Sequence, residues 1–550
     1  MQLHTLYFSL CVHAATHKNP HVCELGCPLP VLRLLFSPPS LFIFLFGLVG
    51  RKFCSRKDAK FDTVREHNLK LRGARGKRRK RLCRMARPSI YSILALVAAA
   101  TLVTTAVEAL YAVPQGRLRE TGSGWPPCDP DVPQWSGYFD IPGQKGDKHY
   151  FYWAFGPRNG NPEAPVLLWM TGGPGCSSMF ALLAENGPCL VNETTGDIYR
   201  NIYSWNNEAY VVYVDQPAGV GFSYAEVEDY DTNEEEVSDD MYHFLQAFFG
   251  AHKNLRKNKF FVVGESYGGH YAPATAYRIN NANREHLGPH IQLAGLAIGN
   301  GLTDPYTQYA AYPMMAWDWC KEKLGEPCVS EAGYQQMIGM LSPCQKAIEM
   351  CNADDSFIAK AACVTARVLC NPIIGVYSAT GLNNYDIRKP CIGPLCYNFD
   401  ASNAFMNRED VQSSLGARRQ VWQSCNMAIN LMFLMDWFKN FNYTVPTLLE
   451  DGVSVMVYAG EMDFICNWIG NKQWTTALNW PGKELFNAAL DEPFRAPDGT
   501  VAGLARTAAA ASTSNLTFVQ VYNAGHMVPM DQPASAFVMI SNFLQGKPFN

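Results

Sequence analysis

The sequence predicts an α/β fold: a mostly parallel, doubly wound central sheet with a cysteine-rich insertion. Two observations carry this. Seven short apolar runs recur along the chain: HYFYWAF (149–155), VLLWM (166–170), YVVYV (210–214), FFVV (260–263), LAGLAI (293–298), VSVMVYA (453–459) and LTFVQVY (516–522). Runs without polar alternation suit strands covered on both faces, and helical patterns between them complete a βα rhythm. That rhythm stops between about 303 and 440, where nine of the 18 cysteines lie. The core therefore divides into residues 110–302 and 441–550, and 303–440 reads as a disulfide-rich insertion over the sheet edge.

Among the helices, SDDMYHFLQAFFGAHKNL (238–255) is read as opening on a serine cap followed by early acids. The alanine-rich TAAAASTS (507–514) is read as a surface loop, and no internal repeat is evident.

Charge separates the N-terminal region from the rest. Residues 1–84 hold 17 of the 46 Lys/Arg and only 4 of the 49 Asp/Glu, so 85–550 is strongly acidic. An acidic body argues against nucleic acid as a partner and suits an acidic compartment. The run RGARGKRRKRLCR (72–84) is read as part of a solvated basic leader (1–84) outside the mature protein. Met85-Ala86-Arg87 then opens SIYSILALVAAATLVTTAVEA, which has the basic, apolar and small-residue regions of a secretory signal ending at Ala109. Either translation begins at Met85 or the segment is an internal signal anchor. The first is preferred, and implies no stable membrane span in a mature chain starting near Leu110.

Cysteine use agrees. Thirteen of the 18 cysteines follow Met85, seven of them within 328–396, without the paired CxxC spacing of zinc sites. No metal ligand set and no cofactor is read from the chain. Sequons at Asn192, Asn442 and Asn515 fit passage through the secretory pathway, to a lysosome- or vacuole-like compartment or the exterior.

Gly264-Glu265-Ser266-Tyr267-Gly268 is a G-x-S-x-G between an apolar strand and a segment able to run on as a helix. The sharp turn this implies lifts a serine oxygen above the sheet, so Ser266 is the candidate nucleophile. Its base should be His526, which follows the last strand in AGHMVP. The orienting acid is best placed at Asp463, directly after VSVMVYA; Asp436 and Asp451 precede that strand and are expected at its opposite end. One oxyanion N–H should come from Tyr267. The other should come from the TGGPGCSS loop, where Gly172 and Gly173 let the backbone approach a substrate.

TGGPGCSS, VDQPAGVGFSY, GESYGGHYAP, AIGNGLTDP, GEMDFICNW and NAGHMVPMDQP, in this order from about Trp135 to the C-terminus, resemble the serine carboxypeptidase family. The resemblance implies an α/β-hydrolase fold and the removal of single C-terminal amino acids from peptides and proteins at acidic pH. It points to the Gly173 and Tyr267 amides for the oxyanion hole. It also implies a site for the substrate's free carboxylate, formed by Glu265 and Glu185 as protonated acids with Trp169 and the Gly172 amide. Thr171 stands where the family has asparagine, and its hydroxyl can still donate and accept. Met527 is implied to line the pocket of the leaving residue, and Cys466 to be a free thiol near the site. Implied disulfides are Cys176–Cys425, Cys320–Cys328, Cys344–Cys370, Cys351–Cys363 and Cys391–Cys396. Cys128 and Cys189 remain and are expected to pair with each other. Acyltransferase, esterase or lyase chemistry on the same triad, or a protective binding subunit, are the competing readings; a homodimer is left open.

Overall fold

The computed structural model describes residues 117–120, 128–393, 395–509 and 514–549. The basic leader and the signal segment lie outside them. The first eight strands are β1 (Arg117–Glu120), β2 (Gln134–Pro142), β3 (Asp147–Phe155), β4 (Val166–Thr171), β5 (Cys189–Val191), β6 (Ile198–Arg200), β7 (Tyr210–Val214) and β8 (Phe260–Glu265). The rest are β9 (Leu293–Gly299), β10 (Leu382–Asn383), β11 (Asp386–Pro390), β12 (Ser454–Gly460), β13 (Glu492–Arg495), β14 (Val501–Ala509) and β15 (Asn515–Val521).

Eleven of these form one sheet in the order β1-β2-β3-β7-β4-β8-β9-β12-β15-β14-β13. Its centre, from β7 to β15, is parallel, and both flanks are antiparallel. Every residue of β4 and β8 is buried, because helices cover both faces and leave no solvent side to impose alternation. All seven apolar runs are strands. The β14–β13 flank carried no such signal: β14, VAGLARTAA, pairs through small and polar residues, and β13 buries Phe494 alone.

Two local expectations are corrected. The helix expected from Ser238 runs Glu234–Ala251, with Asn233 as its cap accepting from the Glu236 N–H at 3.1 Å. Ser238 lies one turn inside. Three acids after Asn233 suit the positive end of the helix dipole, so the cap belongs there. Residues 507–509 are not loop but the end of β14, paired with Thr517, Leu516 and Asn515. Ser514 is buried, its hydroxyl donating to the Leu449 carbonyl at 2.6 Å. The strand lies at the surface there: Thr507 and Ala509 are exposed and Ala508 is buried.

Between β9 and β12 the main sheet gains no strand. Helices Glu331–Cys351 and Phe357–Ser378 form an antiparallel pair held by Cys344–Cys370 and Cys351–Cys363, and Cys320–Cys328 closes the segment before them. The β10–β11 hairpin follows, then short helices. Phe357–Ser378 is the one helix among the described residues long and apolar enough to cross a membrane, and a third of its apolar window is buried. Cys176–Cys425 joins the loop after β4 to the far end of the insertion, 249 residues away. Loops at the C-terminal ends of the parallel strands and the insertion above them enclose a cavity of about 260 Å³.

Candidate active site

Ser266 sits between β8 and the helix Gly268–Glu285 at φ +64°, a left-handed conformation that a serine adopts only under constraint. Hydrogen bonds hold it there: its N–H donates to Gly299 at 3.1 Å, and its carbonyl accepts from Gly269 and Leu302 at 2.9 Å each. A side chain at Gly172 would come within 2.3 Å of the Tyr267 nitrogen, so the loop after β4 lies directly on the turn. Gly173 adopts φ +112°, open to glycine at low cost, and faces the cavity together with Ser266.

His526 and Asp463 come from loops after β15 and β12, neighbouring parallel strands. His526 Nδ1 lies 2.8 Å from Asp463 Oδ2, with both residues buried. The same carboxylate accepts from Asn300 Nδ2 at 2.8 Å, the Ile465 N–H at 3.1 Å and the Cys466 N–H at 3.2 Å. Four donors around one buried carboxylate fix its orientation, and its bond to Nδ1 leaves Nε2 free for the cavity that His526 lines. Asn300 carried no assigned role in the sequence, although it lies within AIGNGLTDP. Asp436 is not at the far end of β12: the Tyr267 hydroxyl donates to its Oδ2 at 2.8 Å, and the adjacent Trp437 lines the cavity. The insertion returns over the sheet before β12 begins, which order along the chain does not reveal. Asp451 lies elsewhere, accepting from Asn280 at 2.7 Å.

Glu185 and Glu265 are both buried beside each other, and no other donor reaches either Glu185 oxygen or Glu265 Oε2. Burial pushes Glu185 up to about 7, and burial together with the facing Glu185 charge raises Glu265 well above the usual carboxylate range. Two such acids hold a proton between them under mildly acidic conditions. Glu265 and Thr171 line the cavity; Glu185 and Trp169 stand behind it. Trp169 Nε1 donates to Thr171 Oγ1 at 2.9 Å. That bond uses an acceptor position of the hydroxyl and leaves its proton for a group in the cavity.

Met527 lines the cavity with Phe180, Tyr385, Tyr397, Phe399 and Met427. Most of these aromatics come from the insertion and had no marker in the sequence. Cys466 is the free thiol among the described cysteines; burial and the Asp463 charge raise it well above its ordinary range, which keeps it protonated. A carboxylate oxygen of Asp463, the Cys466 sulfur and a His526 ring nitrogen lie within 4.8 Å of one another, and that carboxylate is already engaged by four donors, His526 among them. Cys128–Cys189 and Cys391–Cys396 complete six disulfides. Asn192 and Asn515 are exposed, whereas Asn442 is half-buried with its amide donating to Asp304 at 3.1 Å.

This geometry has relatives. The family model for serine carboxypeptidases matches residues 126–546. Serine carboxypeptidase-like 49 of Arabidopsis thaliana is 42% identical over 425 residues, covering 77% of this chain and 78% of its own. Carboxypeptidase Y homolog A of Chaetomium globosum is 41% identical over 448 residues, covering 79% and 77%. The crystal structure of Kex1Δp, a prohormone-processing carboxypeptidase from Saccharomyces cerevisiae, superposes with a TM-score of 0.65 at 27% identity, covering 76% of this chain and 93% of that one. With an α/β-hydrolase sheet, a serine on a strained turn and these relatives, the chain belongs to the serine carboxypeptidase family of peptide hydrolases.

Proposed function

We propose that this enzyme releases single C-terminal amino acids from peptides and proteins at acidic pH, with Ser266, His526 and Asp463 as its catalytic triad. The observation that carries the exopeptidase reading is the buried Glu185–Glu265 pair beside the nucleophile, in a cavity also lined by Thr171. A hydrolase with no need to recognise a chain end would gain nothing from two buried acids without a counter-charge.

Ser266 Oγ attacks the carbonyl carbon of the terminal peptide bond as His526 Nε2 takes its proton, with Asp463 holding the imidazolium. The Gly173 and Tyr267 N–H groups receive the oxyanion. The C–N bond then breaks, His526 passes the proton to the leaving amine, and an acyl-enzyme remains. Water repeats the sequence on the ester and releases the shortened peptide. Meanwhile Glu265, sharing a proton with Glu185, donates to the substrate carboxylate alongside Thr171 Oγ–H and the Gly172 N–H. As pH rises through about 7 Glu185 loses its proton, and its charge beside the site repels the substrate carboxylate. Met527 and the aromatics beside it favour an apolar leaving residue.

Six disulfides, the sequons and the acidic body support residence in a lysosome- or vacuole-like compartment or outside the cell, with glycans on Asn192 and Asn515. The test uses a blocked dipeptide and its C-terminal amide at pH 5 and pH 8, with wild type and Ser266→Ala. The free acid should be preferred at pH 5, its KM should rise about tenfold by pH 8, one unit above the Glu185 midpoint, and Ser266→Ala should be inactive. Equal hydrolysis of acid and amide at pH 5 would favour an esterase or acyltransferase. Hydrolysis that survives Ser266→Ala would remove the triad.

A further inference from the structure

The acid and the base of the triad sit on separate loops, and one element of the insertion touches both. At the tip of the β10–β11 hairpin the Asn384 carbonyl accepts from the Phe464 and Ile465 N–H groups at 3.2 and 2.9 Å, and Ile387 N–H donates to Met462 at 2.9 Å. These bonds flank Asp463. The next carbonyl, that of Tyr385, accepts from the His526 N–H at 2.8 Å, and the Tyr385 ring meets the imidazole edge-on at 5.0 Å. Consecutive backbone groups of one turn thus bind the acid loop and the base loop.

A charged clasp adds to this. Arg388 lies in a two-pronged ion pair with the fully buried Asp386 at 2.8 Å and donates from Nη1 to the Asn523 carbonyl at 3.1 Å. Lys389 bridges Asp386 at 2.9 Å and Asp531 at 3.4 Å, and Asp531 in turn accepts from the Gly525 N–H at 2.7 Å. Gly525 immediately precedes His526, and a side chain there would come within 2.5 Å of the Tyr385 oxygen. The histidine loop is therefore held from both sides by groups that the hairpin either carries or neutralises.

We infer that Arg388, with Asp386, Lys389 and Asp531, is a positioning residue: the insertion hairpin sets the distance between His526 and Asp463, so the site is competent only with the insertion seated. This rests on the triad assignment above. A displacement of about 1 Å in such a pair lowers turnover on the order of a hundredfold without touching substrate binding.

The test compares wild type, Arg388→Met and Arg388→Lys at pH 5 by kcat, KM and the rate of labelling by a fluorophosphonate, which requires the nucleophile and its base but no substrate carboxylate. Arg388→Met should lose about 10- to 100-fold in kcat and lose labelling rate in the same proportion, with KM within about twofold and Arg388→Lys recovering part of both. Wild-type labelling in folded Arg388→Met, or a raised KM at unchanged kcat, would overturn the inference. Should Arg388→Met fail to fold, Asp531→Asn decides: it keeps an oxygen for Gly525 and removes the ion pair, and wild-type labelling there would overturn the inference equally. If wild-type enzyme neither labels nor releases C-terminal residues, the triad assignment fails instead.

Discussion

Thr171 is where this chain departs from the pattern it otherwise follows, and the structure gives the departure a geometry. Its hydroxyl accepts from Trp169 Nε1 at 2.9 Å, its N–H donates to Ser178 Oγ at 3.2 Å, and its carbonyl accepts from Gln216 at 3.1 Å. The residue is thus tied on three sides, with only the hydroxyl proton free. Replacing it by valine keeps the shape and removes that donor to a charged carboxylate, an interaction worth roughly 1.5–3 kcal/mol. Thr171→Val should raise KM for free-acid substrates about 10- to 100-fold, leave kcat within a few-fold, and leave the slower hydrolysis of C-terminal amides unchanged. A loss in kcat at constant KM would place Thr171 in the chemistry rather than in recognition. Ser266, His526 and Asp463 were legible as candidates because each follows an apolar strand closely, in the chain order serine, acid, histidine. Asn300 was not, because an amide donating to a carboxylate 163 positions away leaves no local trace.

At the scale of elements, the turn from β8 into the helix Gly268–Glu285 depends on a close approach. A methyl at Gly264 would stand 2.3 Å from the Gly268 carbonyl and 2.7 Å from Ala272 Cβ. Gly264→Ala must therefore push the helix off the strand. It should cost about 1–3 kcal/mol of stability, as overpacking does, and lower kcat more than tenfold, because the same shift moves Ser266; thermal unfolding and a turnover assay separate the two. Buried parallel strands announce themselves as apolar runs, so the centre of the sheet could be read in advance. The edges could not: β13 and β14 are partly exposed, and their alanines and glycines resemble loop. The β10–β11 hairpin was equally silent. It grips the acid and base loops through backbone carbonyls, which every residue possesses, and its Asp386–Arg388–Lys389 clasp reads in sequence as ordinary surface charge.

At the scale of the molecule, carboxyls dominate whose burial outweighs any nearby cation, Asp231 with Lys148 beside it included. Besides Glu185, burial raises Asp215 and Asp231 to about 7 and Asp436 to about 6, while Glu234 is pushed well above its ordinary range. Each group binds its proton more tightly folded than unfolded. The stability this provides is complete below the unfolded midpoint near pH 4 and is lost as pH rises through the folded values. The melting temperature should therefore fall from pH 5 to pH 8, by roughly 3–5 °C for a few kcal/mol in a chain of this size, and differential scanning calorimetry across that range checks it. A flat or rising profile would mean these acids find partners that ionise with them. The acidic optimum proposed for catalysis and the acidic optimum expected for stability thus share one cause.

The bond from Cys176 to Cys425 has a consequence for the cell as well as for the fold. Both cysteines line the catalytic cavity, one from the sheet and one from the insertion, and 249 residues separate them in the chain. A newly made chain in a reducing cytosol has the nucleophile but not the tie that closes the cleft around it. Covalent closure of the cleft therefore requires an oxidising environment, and reducing this one bond should loosen the wall of the site while the parallel sheet stays formed.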